Sequence, residues 1–259
     1  MSRSHTQDPN HTTLSGEHAI DHYVMAHSDA EPEYLYRLWR ATNIHMLHGR
    51  MASGCLQGRL LRMLVIMARP QNIVEVGTFS GYSALCLAEG LEAVWGHDRQ
   101  HGHLYTFEIN DEQEPFTRPW IEQSPWAHRI TFSIADAITA APATAHEHGI
   151  TFDMAFIDGD KRTYIDTIEA LLPVMTPGAF ILADNTLWDG HVVEAEYDRD
   201  RQTVAIREFN DHVACDTRLE RVMLPLRDGL TIIRKRPYPQ PAAIVWARQN
   251  TPNIIRKRP

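Results

Sequence analysis

Acidic residues recur in this chain where short apolar runs end. The stretch "FIDGDK" sets Asp158, Asp160 and Lys161 directly after Met154-Ala155-Phe156-Ile157, and "LADNTLWDG" sets Asp184, Asn185 and Asp189 after Ala179-Phe180-Ile181-Leu182-Ala183. Two carboxylates and an amide offer oxygen ligands only. Such a set, with positions left open, suits Mg²⁺ or another hard divalent ion such as Mn²⁺ or Ca²⁺. An ortho-diphenol fills two of the open positions, and coordination lowers its pKa as it does that of bound water. Lys161 then takes the proton or stabilises the charge left behind. Alone, "DGDK" reads equally well as a helix cap beside a solvated Asp160–Lys161 pair. Its pairing with the second stretch favours a ligand set.

A second group of residues fits an adenosine. "VEVGTFSGYSA" places Gly77 after a strand-like run and Gly81 at the start of a helix. Glycine there lets the backbone turn tightly and approach a ligand. The spacing is Gly-x-x-x-Gly rather than the dinucleotide fingerprint, which argues against a nicotinamide dehydrogenase. Glu75 just before this turn suits a cationic amino group better than a pyrophosphate. Glu108, ending "YTFEIN", is placed for ribose hydroxyls, and Asp136 in "IADAI" for an adenine amino group. Singly, each acid reads as a loop carboxylate or a cap. Together, at successive strand ends, they describe S-adenosylmethionine.

The elements that must position these groups follow from periodicity. Residues 1–32 read as a polar, loosely docked arm. A helical period runs from Glu33 to about Leu47, and a second helix passes through Leu60, Leu61, Leu64, Val65 and Met67 until Pro70 ends it. Residues 71–237 then alternate strand-like runs with helical ones, notably Ser80–Glu89, Thr163–Met175 and Val204–Val213. Such alternation predicts βαβ crossovers and a sheet covered on both faces. "PLRDG" joins two β-rich runs into a closing hairpin with one antiparallel pair. The expected fold is α/β and Rossmann-like, a seven-stranded, mostly parallel sheet in a single domain over 33–237, with 238–259 a tail. "IIRKRP" occurs at Ile232–Pro237 and again at Ile254–Pro259, and no function attaches to it.

A net charge of −8 speaks against nucleic acid or a membrane surface as partner. No apolar run is expected to reach the length of a membrane span. Three scattered cysteines and a polar beginning predict a reduced, cytoplasmic protein. "HDRQHGH", His97 to His103, is read as a solvated loop rather than a zinc site.

From about Met51 to Arg236 the chain resembles the cation-dependent O-methyltransferases of the caffeoyl-CoA and catechol type, especially bacterial ones. The likeness is carried by "GCLQGRLLRML", "VEVGTFSGYSALCLAEGL", "FIDGDKRTYIDTIEALLPVMTPGAFILADNTLWDG" and "LPLRDGLTIIRK". It implies metal ligation by Asp158, Asp184 and Asn185, with Lys161 as catalytic base. It implies cofactor contacts at Ser53, Glu75, Gly77, Thr78, Ser83, Glu108, Ala137, Asp158 and Asp160, and a homodimer whose N-terminal helices help enclose a small aromatic substrate. Asp189 replaces a substrate-contacting Asn of the plant members, and "DGDK" replaces their "DADK". No counterpart of the plant acyl-CoA-binding segment is evident, so a catechol-like acceptor is expected. The alternatives are a non-catechol acceptor or a cofactor-binding protein without activity.

Overall fold

The computed structural model describes residues 16–96, 98 and 100–238. Three helices come first: α1 (Gly16–Ala26), α2 (Glu33–His45) and α3 (Cys55–Ala68). The alternating part follows as β1 (Asn72–Val76), α4 (Tyr82–Trp95), β2 (His103–Glu108), α5 (Glu114–Glu122), β3 (Ile130–Ile134), α6 (Ala137–His148), β4 (Phe152–Ile157), α7 (Tyr164–Leu171) and β5 (Met175–Ala183). Helix α8 (Arg201–Cys215) and strands β6 (Leu219–Leu224) and β7 (Leu230–Lys235) complete it.

The strands form one seven-stranded sheet in the order β3-β2-β1-β4-β5-β7-β6. Strands β1 to β5 pair in parallel, whereas β7 is antiparallel to both β5 and β6. The sheet therefore holds two antiparallel pairings where the hairpin alone predicted one. The hairpin's second strand slots in beside β5 and leaves β6 at the edge.

Strand order reverses between β1 and β4, which opens a crevice at their C-terminal ends. Alternate side chains of each strand face opposite layers. Val74, Ala155, Ile157 and Ile181 join Ile168 of α7 and Phe209 of α8 on one face. Ile73, Met154, Phe156 and Leu182 join Leu61 and Val65 of α3 and Leu87 of α4 on the other. Helices α3 and α4 approach through glycine: a Cβ on Gly90 would lie 2.8 Å from Val65 Cβ.

Several expectations need correction. The arm before residue 33 carries a helix, α1, mostly exposed from Ala19 onward, and Tyr82 of α4 donates a hydrogen bond to Glu31 beyond it. The helix expected over Thr163–Met175 stops at Leu171 because Pro173 follows, and Met175 already opens β5. Residues 49–68 are long and apolar enough to count as a membrane span by length and composition. The helix α3 within them buries Leu61 and Val65 completely against the sheet, as a core helix does. His101 Nδ1–H donates to Asp98 Oδ2 at 2.8 Å, and the ring stacks on Trp95. His97 and the second "IIRKRP" lie outside the described residues.

Candidate functional site

The exits of β1 and β4 nearly touch. Gly77 has φ +94°, and a Cβ there would lie 2.4 Å from the Asp158 carbonyl oxygen. Asp158 N–H donates to Val76 O at 2.8 Å and Asp184 N–H to Ile157 O at 3.0 Å, so three strand ends are laced together. This lacing brings Glu75, Asp158 and Asp184 to one crevice.

On the adenosine side, Glu75 is completely buried. Its Oε2 accepts from Thr106 Oγ1 at 2.5 Å, and Thr78 Oγ1 stands 2.6 Å from Thr106 Oγ1. Its Oε1 has no hydrogen-bond partner among the described residues. Burial pushes the Glu75 pKa up to about 8, partly offset by the hydroxyls of Ser83 and Thr106, while the charges of Asp158 and Glu108 raise it further. A cationic group beside Oε1 would satisfy both the orphaned atom and the charge. Glu108 receives the backbone N–H of Phe79 and of Asn110, each at 2.9 Å, and these fix its carboxylate at the rim. Ser53, Thr78, Ser83 and Ala137 are buried. Asp136 caps α6, accepting from Ile138 N–H, and remains exposed. Asp160 is likewise exposed, with both carboxylate oxygens held by Arg162 at 3.0 Å. For Asp136 the capping reading is realised, whereas the solvated Asp160–Lys161 pair does not form: Asp160 caps the next turn and pairs with Arg162, and Lys161 is buried against Asp158.

On the cation side, Asp184 is 5% exposed and Asp158 more open. Burial, then the neighbouring charge of Asp158, raises the Asp184 pKa to about 6. Its Oδ2 accepts from Gln57 Nε2 at 2.6 Å and its Oδ1 from Asn185 N–H at 2.9 Å. Asn185 sits at φ 55°, a conformation Asn tolerates better than most residues. Its Nδ2 donates to Asp228 Oδ2 at 3.2 Å, leaving the amide oxygen as its ligand atom. Two like charges and an amide oxygen at one buried rim are a fitting donor set for a hard divalent ion. Lys161 is buried and donates to Asp158 Oδ1 at 2.8 Å and to Tyr164 OH at 2.9 Å. Burial, the largest single influence, lowers its pKa, but Asp158 and Tyr164 together, through charge and hydrogen bonds, outweigh it and hold Lys161 above the ordinary lysine range. Asp189 is exposed, in a left-handed pair with Trp188.

Four further residues complete the site and were not anticipated. Tyr164 OH lies 3.1 Å from both the Ile157 and Asp184 carbonyls, tying Lys161 to two strand ends. Gln57 continues the buried stripe of Leu61 and Val65, and a polar residue on that stripe was the available signal. Arg227 and Asp228 come from the β6–β7 turn, which is held to the 184–188 loop by Thr186 N–H to Gly229 O and Leu187 N–H to Asp228 O. Nothing local in "PLRDG" marks that turn as part of a site.

A glycine turn, strand-end acids and the order β3-β2-β1-β4-β5-β7-β6 define a Rossmann-like methyltransferase. Solved structures agree on the fold. The O-methyltransferase from Bacillus cereus, in complex with S-adenosylhomocysteine, superposes with a TM-score of 0.74 at 24% identity, over 84% of this chain and 97% of that one. The O-methyltransferase TomG from Streptomyces achromogenes, in complex with S-adenosylmethionine, gives 0.76 at 23%, over 86% and 100%. Residues 25–236 match the O-methyltransferase family, and the chain belongs to it. It is similar to tricin synthase 1 of Oryza sativa subsp. japonica, 33% identical over 88% of this chain and 92% of that protein. It is also similar to caffeoyl-CoA O-methyltransferase 1 of Arabidopsis thaliana, 31% identical over 88% and 89%.

Proposed function

We propose that this enzyme transfers the methyl group of S-adenosylmethionine to one hydroxyl of a catechol-like small molecule, with a divalent cation held by Asp158, Asp184 and Asn185. One observation carries the reading: two carboxylates come from adjacent strand ends, close enough that burial and then the Asp158 charge lift Asp184 to about 6. Lys161 balances one of the two charges, and the second remains costly without a further positive partner. The bound ion, Mg²⁺ by the all-oxygen set, would acidify a phenol and orient it.

The chain's own residues do the rest. Glu75 receives the cofactor's ammonium group, Glu108 the ribose, and Gly77 allows close approach, with Ser53, Thr78, Ser83 and Ala137 lining the cofactor's path. In-line displacement at a sulfonium methyl depends chiefly on alignment. Lys161, protonated beside Asp158, stabilises the phenolate; it would act as a base only after a second positive partner at Asp158 lowered its pKa and it gave up its own proton to solvent. Exposed Tyr36 and Ile44 of α2, with Leu47 and Met51 after it, support a homodimer through this segment. Free thiols at Cys55, Cys86 and Cys215 support a reducing compartment, the cytoplasm.

The test is methyl transfer from labelled S-adenosylmethionine to a catechol panel, with and without EDTA. Product should vanish in chelator and return with Mg²⁺ or Mn²⁺. Asp184→Ala should lose turnover while S-adenosylhomocysteine still binds. Undiminished transfer in EDTA would overturn the cation, and cofactor binding without any catechol product would overturn the acceptor.

A further inference from the structure

A cavity of about 490 Å³ lies between α2, the start of α3 and the β6–β7 turn, and one of its walls, Gln57, is hydrogen-bonded to Asp184 of the cation side. Trp39, Arg50, Ser53, Gln57 and Arg227 are among its walls, and no carboxylate lines it among the described residues. In a chain of net charge −8 a wall with two guanidinium groups and no acid is a local reversal of sign. Neither Arg50 nor Arg227 makes a salt bridge among the described residues. Asp228, next in sequence to Arg227, is turned instead to Asn185. Arg227 itself sits at φ 48°, where a bulky residue is strained. Its Nη1 donates to Gln57 Oε1 at 3.0 Å and to Ala52 O at 3.2 Å, which leaves most of a five-donor fork for another partner.

Gln57 fixes the spacing. Its Oε1 faces Arg227 and its Nε2 donates to Asp184 Oδ2 at 2.6 Å. The guanidinium and the carboxylate are therefore no more than about 8 Å apart, two hydrogen bonds and the breadth of one amide. An aromatic acid with its carboxylate opposite its hydroxyls is about as long as that separation. It reaches both groups by lying along the cavity beside Gln57 rather than on the straight line that Gln57 fills.

We infer that the acceptor pocket is built for an aromatic carboxylate, its ring beside Trp39 and its carboxylate received by Arg227, with Arg50 adding positive charge. The inference rests on the proposed catechol acceptor and names its class: a dihydroxy aromatic acid, rather than a neutral catechol. An Arg–carboxylate pair is directional and charge-assisted, and so discriminates between an acid and its neutral isostere.

Calorimetry with benzoate and benzamide tests the pocket apart from catalysis. Wild type should bind benzoate about tenfold more tightly than benzamide. Arg227→Gln should erase that preference, and Arg227→Lys, which keeps the charge, should retain part of it. Equal binding of the two probes by wild type, or a preference that survives Arg227→Gln, would overturn the assignment. Methyl transfer to 3,4-dihydroxybenzoate and to its methyl ester supplies the second arm. The ratio of their kcat/KM values should favour the acid by about tenfold and fall to near one in Arg227→Gln. Transfer to neutral catechols with no preference for the acid leaves the proposed function standing and removes this inference. An Arg227-dependent benzoate preference without methylation of any catechol removes the proposed acceptor, and with it the acceptor class inferred here, leaving only a carboxylate site at Arg227.

Discussion

Replacing Gly77 with alanine should damage the enzyme at the point where its two halves meet. The added Cβ would lie 2.4 Å from the Asp158 carbonyl oxygen and 2.8 Å from its carbon, whereas ordinary contact begins at 3.4 Å. The obstacle is backbone, so the β1 and β4 exits must part by about 1 Å. That movement strains the 2.8 Å bond from Asp158 N–H to Val76 O. Positive φ at a non-glycine residue costs about 1–3 kcal/mol, and overpacking adds about 1–3 kcal/mol. A loss of about 2–6 kcal/mol is expected in urea or guanidinium unfolding, along with weaker S-adenosylhomocysteine binding by calorimetry. Gly149→Ala is the control, because Gly149 also has positive φ, +61°, but nothing lies within 4 Å of its added Cβ. It should show the backbone cost alone, near the low end. If the two variants lose equal stability, or Gly77→Ala binds cofactor normally, the close approach of the two strand exits is not what demands glycine here.

Three other outcomes follow from the site. Glu75 and Asp184 have folded pKa values of about 8 and about 6, raised above their ordinary values by burial first, so their contribution is full below about pH 4 and is lost as pH rises through those values. Without cation or cofactor, the thermal stability of Glu75→Gln relative to wild type should therefore increase from pH 4.5 to 8.5; a constant difference would mean that Glu75 is not held protonated. Lys161→Met should lower kcat by on the order of 10²-fold with a smaller change in the acceptor KM, measured by steady-state kinetics, and a kcat within a few-fold of wild type would remove Lys161 from the chemistry. Gln57→Leu should cost about 1–3 kcal/mol in unfolding free energy by stranding Asp184 Oδ2, and cation addition should recover part of it; an unaffected unfolding curve would show that Gln57 is idle.

The cofactor half of the site was legible because its groups follow local rules. Glu75 lies one residue short of a strand end, and Gly77, Glu108, Asp158 and Asp184 close or follow apolar runs, whose ends parallel strands deliver to one edge. The acceptor half was not, since Gln57, Arg227 and Asp228 meet only through long-range packing. In the fold, strands β1 to β5 could be read from β-rich runs, but Pro115 and Pro119 in α5 and Pro142 in α6 weaken the helical signal that their crossovers otherwise carry. The early start of β5 was hidden for a similar reason. Pro177 and Gly178 suggest a turn, whereas the strand accommodates them at a register irregularity opposite Phe152 and Met154.

The insertion of β7 between β5 and β6 also sets an order of assembly. Before residues 230–235 are made, β5 presents Phe180, Ile181, Leu182 and Ala183 along an unpaired edge, the partners they later find being Arg234, Ile233, Ile232 and Thr231. A nascent chain with such an open apolar edge is prone to pair with another copy. The same late hairpin carries Arg227 and Asp228, so a ribosome-bound chain can complete its cofactor crevice while its acceptor wall does not yet exist. Premature release would thus yield a sticky species able to hold cofactor but not acceptor, and chaperone demand should peak just before β7 emerges.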